Sequence, residues 1–500
     1  MGAFQECIQN ISRSIGEEQV CLDMPTRIVH RITHGPEAML HEKLSDFTPE
    51  AVVRPQTTED VVAIVNYANK YEIPLIPQGG RTCTYGAESM PGAIVIDTTS
   101  MDEILSFDEP AFRIVSQAGV RVVDYINYLA ERGYMSLEFP TMNRSSTLGS
   151  RAAISGYNKF ENRWGGSRDH IRGLEVVLAN GEVVQVGRGS KFPTKSVVGF
   201  DTMSMFIGSR GTLGIITKVT ERFIPNPPAY VYGLRAFKSL EDALHTYMEL
   251  RSPINAGVIW RSKAYHQWQL RQAVKESMNI EWPEDVVMLV DYHILGQPAV
   301  VEAMRVHAEE VCKKHNGFWR DDMPPTDFIG RMHETMEKYM GMAAIQSERM
   351  LTGGMGNRIL PLDPQISNTH LIDFYKDYMK LLARIEDGKS YPELTGKLFV
   401  LSPGAPVPAE EGWTKVWSLT LANWKAFNKK TIDDYKRWFR DYAELIWSHG
   451  GSLTGTHGFI PRDIEIEIVK KEIGEEAYNL MKTIKNALDP KNIMNPNVRF

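Results

Sequence analysis

Cysteine is scarce. Cys7, Cys21, Cys83 and Cys312 are the only 4 in 500 residues, widely separated and without a C-x-x-C pair. This excludes a disulfide frame, a cysteine-held zinc and an iron–sulfur cluster, so any redox chemistry needs an organic cofactor brought from outside. Long apolar runs are missing as well. The N-terminus MGAFQECIQNISRSIGEEQV has no basic start followed by an apolar stretch, and nowhere do eighteen apolar residues follow one another. Neither signal peptide nor membrane span is expected, and the expected compartment is the cytoplasm. One-sided charge is absent too: 56 Lys and Arg stand against 62 Asp and Glu, leaving no basic field to hold nucleic acid. No internal repeat or low-complexity tract breaks the chain. What remains is a 43% hydrophobic chain long enough for two or three folding units, for which a small-molecule substrate is the natural partner.

From Val52 to about Pro228, helical and strand periods alternate with short Gly- or Pro-containing turns. Thr57, Thr58, Glu59 and Asp60 cap a helix whose Val61, Ile64, Val65 and Ala68 share one face. Strands are expected after Pro74, from Ala93 to Ile96 and around Ile114 and Val115, with a helix from Val122 to Arg132 stopped by Gly133. In GLEVVLANGEVVQVG, two β-branched runs flank Asn180 and Gly181, the signature of a hairpin with a two-residue turn.

The Pro-rich PNPPAY stretch marks a domain boundary, since proline continues neither a ladder nor a helix interior. Beyond it, a strand (Val231 to Phe237), a helix (Leu240 to Leu250), a strand (Val286 to Tyr292) and a helix (Val300 to His315) predict a helix-backed antiparallel sheet, followed by a Met-rich region. The expected fold class is α+β: a first domain over 1–227, a substrate cap over 228–446, and a segment 447–500 that returns to the first domain. The aromatic stretch holding Trp417, Trp424, Trp438, Phe439 and Trp447 reads as core by default, with an aromatic substrate pocket as the minority reading.

Three loops carry the chemistry. In PLIPQGGRTCTYGAE a strand runs into a glycine-rich turn whose free N–H groups can converge on a phosphate, with Gly79, Gly80, Arg81 and Thr82 as the natural contacts. In PTMNRSSTLGSRAAISG, the hydroxyls of Ser145, Ser146 and Thr147 stand beside Gly149. In FIGSRGTLGIIT, Gly208, Gly211 and Gly214 recur every three residues before an apolar strand, a spacing that lets a flat ring lie on the backbone. Any one of these would pass as a turn.

Together, PQGGRT, SSTLGS, GLEVVLANGEVV, GSRGTLGIIT and the terminal DPKNIMNP resemble the FAD-binding (PCMH-type) domain of the vanillyl-alcohol-oxidase/p-cresol-methylhydroxylase superfamily. The resemblance spans roughly Val52 to Pro228. It implies FAD as cofactor, Pro77, Gln78, Gly79, Gly80, Arg81 and Thr82 as the pyrophosphate loop, and Ser146, Thr147 and Gly149 as further phosphate or ribityl contacts. It also places Gly211, Ile216 and Asn495 beside the flavin. Similar enzymes often read G-S-E-G-T-L-G where this chain has Arg210, so any role of that acid is absent here. Covalent attachment is common in the superfamily, and His170 is one candidate for it; non-covalent FAD is expected. Cys83 reads as a small packing residue.

HGGSLTGTHGFIPRD resembles the stretch that glycolate oxidase and D-lactate dehydrogenase-type members place beside the flavin, making His457 the candidate base for the substrate hydroxyl. Thr456 stands where metal-using relatives carry a glutamate, and no H-x-G-D-G-N stretch occurs, so no bound metal is expected. A substrate anion then needs cations, and Arg349 and Arg358 stand where similar enzymes hold them. The expected function is oxidation of a 2-hydroxy acid such as D-lactate or glycolate. Electrons would pass to a quinone, an electron-transfer flavoprotein or oxygen, and a homodimer is among the assemblies open. Oxidation of para-substituted phenols, an alkylglycerone-phosphate synthase-like transfer and a non-catalytic flavin-binding subunit are the rival readings.

Overall fold

A computed structural model describes residues 2–31, 47–82, 89–140, 144–158, 160–187, 199–252, 254–255, 257–266, 285–318, 358–396, 398–408, 412–422, 428–453, 460–461, 464–496 and 498. The chain forms two compact units. One holds residues 1–158, 166–226 and 462–500; the other holds 159–165 and 227–461.

The first unit begins with strands buried on both faces. Ala51–Val53, Ile94–Asp97 and Leu75–Gln78 pair in parallel in the order 51–53, 94–97, 75–78, with Val20–Cys21 antiparallel at the edge. One face, through Ala51, Val53, Leu75, Ile94 and Ile96, packs under helices, and the other, through Val52, Ile76 and Val95, forms a smaller apolar cluster with Cys21 and Met90. The helix Thr58–Tyr71 is one cover. Thr57 accepts from the Asp60 N–H while Asp60 accepts from the Thr57 N–H, and Val61, Ile64, Val65 and Ala68 are fully buried, as the spacing predicts. Ala3–Ile15 packs on the same core through Cys7, Ile8, Ile11 and Ile15. The chain end adds a last rung, with Met494 bridging Leu75 in parallel.

A mainly antiparallel sheet follows, in the order Ile104–Asp108, Arg113–Gln117, Ile215–Pro225, Ile171–Val177, Val183–Gly187; Tyr134–Ser136 pairs with the far end of the long strand. The hairpin exists, but its turn differs from the one expected. Gly181 alone has positive φ, at 82°; Leu178 N–H donates to Glu182 O and Gly181 N–H to Leu178 O. A three-residue loop with a left-handed glycine forms instead of a two-residue turn, because only Gly181 adopts the costly conformation and Asn180 spends its side chain accepting from the Glu182 N–H.

In the second unit, Met288–Gly296 lies between Ala229–Phe237 and Ile259–His266, antiparallel to both. The helices Leu240–Leu250 and Pro298–Lys314 pack on this sheet. Tyr292, beneath the second helix, donates to Glu309 at 3.0 Å. A second sheet joins Arg358–Leu362, Trp413–Ala422 and Gln365–Ser367, with Leu398–Pro408 also on the central strand. The helices Leu371–Glu386 and Lys429–Ser448 meet through aromatic rings: Phe374 stacks on Tyr378, Trp438 on Tyr442, and Tyr378 lies 5.7 Å from Tyr442. Trp438 and Phe439 are fully buried, which is the core reading of that stretch. The helix runs through residue 447, and the return to the first unit starts at Arg462.

Candidate functional site

The first unit contains a cleft open to solvent. Its walls are the three loops, and each is placed by contacts that leave no room for a side chain. The first loop leaves the buried strand Leu75–Gln78 and contributes Pro77, Gln78, Gly79, Arg81 and Thr82. A Cβ on Gly80 would stand 1.6 Å from the Ser145 carbonyl oxygen, and one on Gly79 2.3 Å from Thr147 Oγ1. The first and second loops therefore touch backbone to backbone. Thr82 Oγ1 and Ser146 Oγ close the seam at 2.9 Å.

The second loop runs into the short helix Leu148–Ala153, which presents Gly149, Ser150, Ala153 and Ile154 to the cleft. Gly149 N–H donates to Ala118 O at 2.8 Å, and a Cβ there would lie 2.5 Å from Ala118 Cβ. At the other end of this helix, the last carbonyls are met by the third loop: Gly208 N–H donates to Ala152 O, which also accepts from Ser155 N–H, and Arg210 N–H donates to Ala153 O. Arg210 and Gly211 both take left-handed φ, 56° and 73°, and Gly211 faces the Pro77 ring. One six-residue helix thus links all three loops.

The terminal segment locks the assembly from behind. Lys485, almost fully buried, pairs with Asp489 and donates to Thr212 O and Met494 O; Asp489 in turn accepts from the N–H groups of Ile493 and Met494. Burial pushes the Lys485 ammonium below its ordinary pKa, against the pull of Asp489. Asn495 donates through Nδ2 to Arg210 O at 2.7 Å.

The electrostatics of the cleft follow from what lines it. Arg81 and Arg210 supply charge, Thr82, Thr98 and Ser150 supply hydroxyls, and among the described residues no acidic side chain is in the wall. Asp97 lies close by but is committed elsewhere. Its Oδ1 accepts from Thr99 N–H and Oγ1, and its Oδ2 faces His30, Arg81 and Arg54. Burial pushes its carboxyl up, yet the bonds from His30 and Thr99 and the Arg81 charge outweigh that and hold it well below the usual carboxylate range. Converging amides, hydroxyls and guanidinium groups around glycine backbone suit a diphosphate, and the apolar Ile154, Ile215 and Ile216 suit a flat ring.

Pro77, Gln78, Gly79, Arg81, Thr82, Gly149, Gly211 and Ile216 line this one cleft. Gly80, Ser146, Thr147 and Asn495 are not among its lining residues but touch the loops that form it. The sequence reading left out Thr98, Ala118, Ser150, Ala153, Ile154, Arg210 and Ile215, while Gly214 is one of the three spaced glycines. For Ser150, Ala153 and Ile154 the signal was available, since they sit three and four apart on one helical face. Thr98 and Ala118 are brought in by strand pairing alone. Arg210, noted as a departure, adds a cation to the wall. His457 and Arg349 lie outside the described residues. Arg358 opens the strand Arg358–Leu362 in the second unit, across from Ala422.

Behind the helix lies a second polar group, fully internal. Arg151 donates through Nε to Glu138 at 2.9 Å; Asn158 Nδ2 meets His170 Nε2 at 2.9 Å while its Oδ1 accepts from Phe139 N–H. With Asn158 as donor, His170 carries its proton on Nδ1. Burial, against the opposing charge of Glu138, lowers the His170 pKa to about 4. Burial, then repulsion from Glu138, raises the Glu221 carboxyl well above its usual range. His170 does not line the cleft.

Residues 49–187 match the FAD binding domain family, and residues 422–498 match the C-terminal domain of FAD linked oxidases. The chain is 32% identical over 460 residues to D-2-hydroxyglutarate dehydrogenase of Stutzerimonas stutzeri (strain A1501), covering 90% of this chain and 91% of that one. It is 23% identical over 469 residues to glycolate oxidase subunit GlcD of Bacillus subtilis (strain 168), covering 90% and 89%. Its fold is similar to p-cresol methylhydroxylase solved with substrate bound, with TM-score 0.73 at 17% identity over 99% of this chain and 96% of that one.

Proposed function

The chain belongs to the FAD-linked oxidases of the vanillyl-alcohol-oxidase/p-cresol-methylhydroxylase superfamily and is an FAD-dependent oxidoreductase, and from that premise we propose that it oxidises a small 2-hydroxy acid of the D-lactate, glycolate or D-2-hydroxyglutarate kind. The observation that carries this reading is similarity along nearly the whole chain to a hydroxy-acid dehydrogenase, since the fold alone serves many substrates. Bound in the first unit, FAD supplies the two-electron acceptor. The chain's own residues do the rest. Arg81, Arg210 and the loop amides hold the diphosphate; Ile154, Ile215 and Ile216 exclude water from the ring.

His457 takes the proton from the substrate hydroxyl, a task suited to an imidazole, which titrates near 6.5 when unperturbed. Arg349 and Arg358 pair with the substrate carboxylate, whose planar geometry matches the guanidinium fork. The test is anaerobic mixing of the purified holoprotein with D-lactate, glycolate, D-2-hydroxyglutarate and a para-alkylphenol. Bleaching of the oxidised-flavin band by one of the acids is expected; bleaching by the phenol alone sinks the reading. His457→Gln is expected to slow that bleaching by roughly 10²–10⁴-fold at unchanged flavin content. Among the described residues no helix is long and apolar enough to cross a membrane.

A further inference from the structure

His30 and Asp97 form a seat for the Arg81 guanidinium, and the contacts within it cannot all be satisfied at once. His30 caps the helix Met24–Val29 and is 1% exposed. Its Nδ1 lies 2.8 Å from Thr26 O, an atom that can only accept, so Nδ1 carries a proton. Its Nε2 lies 2.8 Å from Arg81 Nη1, which can only donate, and 2.9 Å from Asp97 Oδ2, which can only accept. With one ring proton, Nε2 is a lone pair that bonds Arg81 and repels the carboxylate. With two, Nε2–H bonds Asp97 and repels the guanidinium.

The surroundings sharpen the choice. Asp97 stays ionised, held by Thr99, with Arg54 Nε 3.6 Å from the same oxygen. Arg27, on the His30 helix, is turned to Glu50 at 3.0 Å, and Arg31 follows His30 in the chain. Gln78 fixes the His30 backbone through its carbonyl at 3.0 Å. Arg81 is touched only through Nη1 in this seat, sits at a left-handed φ of 54°, lines the cleft, and its side chain is 28% exposed.

We propose that His30 is a positioning residue for Arg81: the neutral imidazole holds the guanidinium back against Asp97, and the protonated imidazole takes Asp97 for itself and releases Arg81 to the diphosphate of the bound flavin dinucleotide. Both consequences of protonation have the same sign. Arg81 is freed, and the local charge becomes more positive, so the dianion binds more tightly as pH falls. By reciprocity, binding the dianion draws a proton onto His30. The opposing cost of ordering a released arginine is that of one side chain and is the smaller effect.

The test is the dissociation constant of FAD from the full-length protein between pH 8.0 and 5.5, read by the fluorescence of released flavin. Calorimetry at pH 6.5 in two buffers of different ionisation enthalpy then gives the protons taken up on binding. Affinity is expected to rise about tenfold on acidification, the change one linked proton produces per pH unit, with net proton uptake. His30→Gln is expected to flatten the profile to less than about twofold, and Arg81→Gln to leave only the smaller slope that the His30 charge itself produces. A flat wild-type profile, no proton uptake, or a slope undiminished in Arg81→Gln overturns the proposal. Where the buried His30→Gln substitution prevents folding, the wild-type proton count and Arg81→Gln decide alone.

Discussion

The first unit shapes its cleft backbone against backbone, with glycines where a Cβ would collide and main-chain bonds from one loop to the next. The second unit joins its parts by side chains reaching across: Arg251 donates to Tyr247, Trp413 O and Thr414, and Lys415 meets Glu161 at 2.6 Å. A backbone solution demands particular residue types at fixed spacing, so it leaves motifs. A side-chain solution can be met by many residue pairs, and it leaves none. This is why the cofactor cleft has a recognisable sequence while most of the second unit, before its matched C-terminal stretch, has only periodicity.

Matched lesions would break or sharpen that contrast. Lys485→Met in the first unit removes the partner of a buried Asp489 and the donor to Thr212 O and Met494 O, so a loss of about 3–5 kcal/mol is expected in denaturant titration, together with release of FAD. Lys415→Met removes the buried ion-pair partner of Glu161, the two side chains being 2% and 9% exposed, and a loss of up to about 3–5 kcal/mol is expected, but with flavin retained. If both variants release flavin alike, the distinction between the units fails.

Acid provides the next test. Burial depresses the His170 pKa to about 4, so the unfolded chain binds a proton there that the folded one does not between roughly pH 6.5 and 4. Stability from this group is complete above the unfolded value, falls as pH drops through that window and levels off below it. The loss is on the order of 3 kcal/mol, and His170→Asn is expected to show a shallower acid limb in melting temperature against pH.

Gly80→Ala forces the two loops apart, and a cost of about 1–3 kcal/mol with weakened FAD binding is expected from thermal melts and flavin content. The smallest effect belongs to a position that follows purely local rules: Thr57→Ala removes a helix cap for about 1 kcal/mol, with the cleft untouched.

The legibility of the site follows the same division. Helices with strong one-face spacing, such as Thr58–Tyr71 and Leu240–Leu250, were readable because burial and capping act within a few residues. Gly79, Gly149 and Gly211 were readable as loops a side chain would block. Thr98 and Ala118 were not, because only the pairing of distant strands carries them to the cleft. Nor were the contacts by which Gly80, Ser146, Thr147 and Asn495 join the loops to one another, which depend on how the loops pack.

By itself the sequence determined the three loops and the elements that carry them, because those depend on local backbone freedom and periodic burial; the cofactor class came from the resemblance of those loops to a known family. Tertiary structure alone decided that a six-residue helix joins the loops, that a buried lysine bolts the chain end behind them, and that His30 meets Arg81 and Asp97 across 51 and 67 residues of sequence. Contacts of that separation are set by how sheets and helices pack, and no stretch of neighbouring residues encodes them.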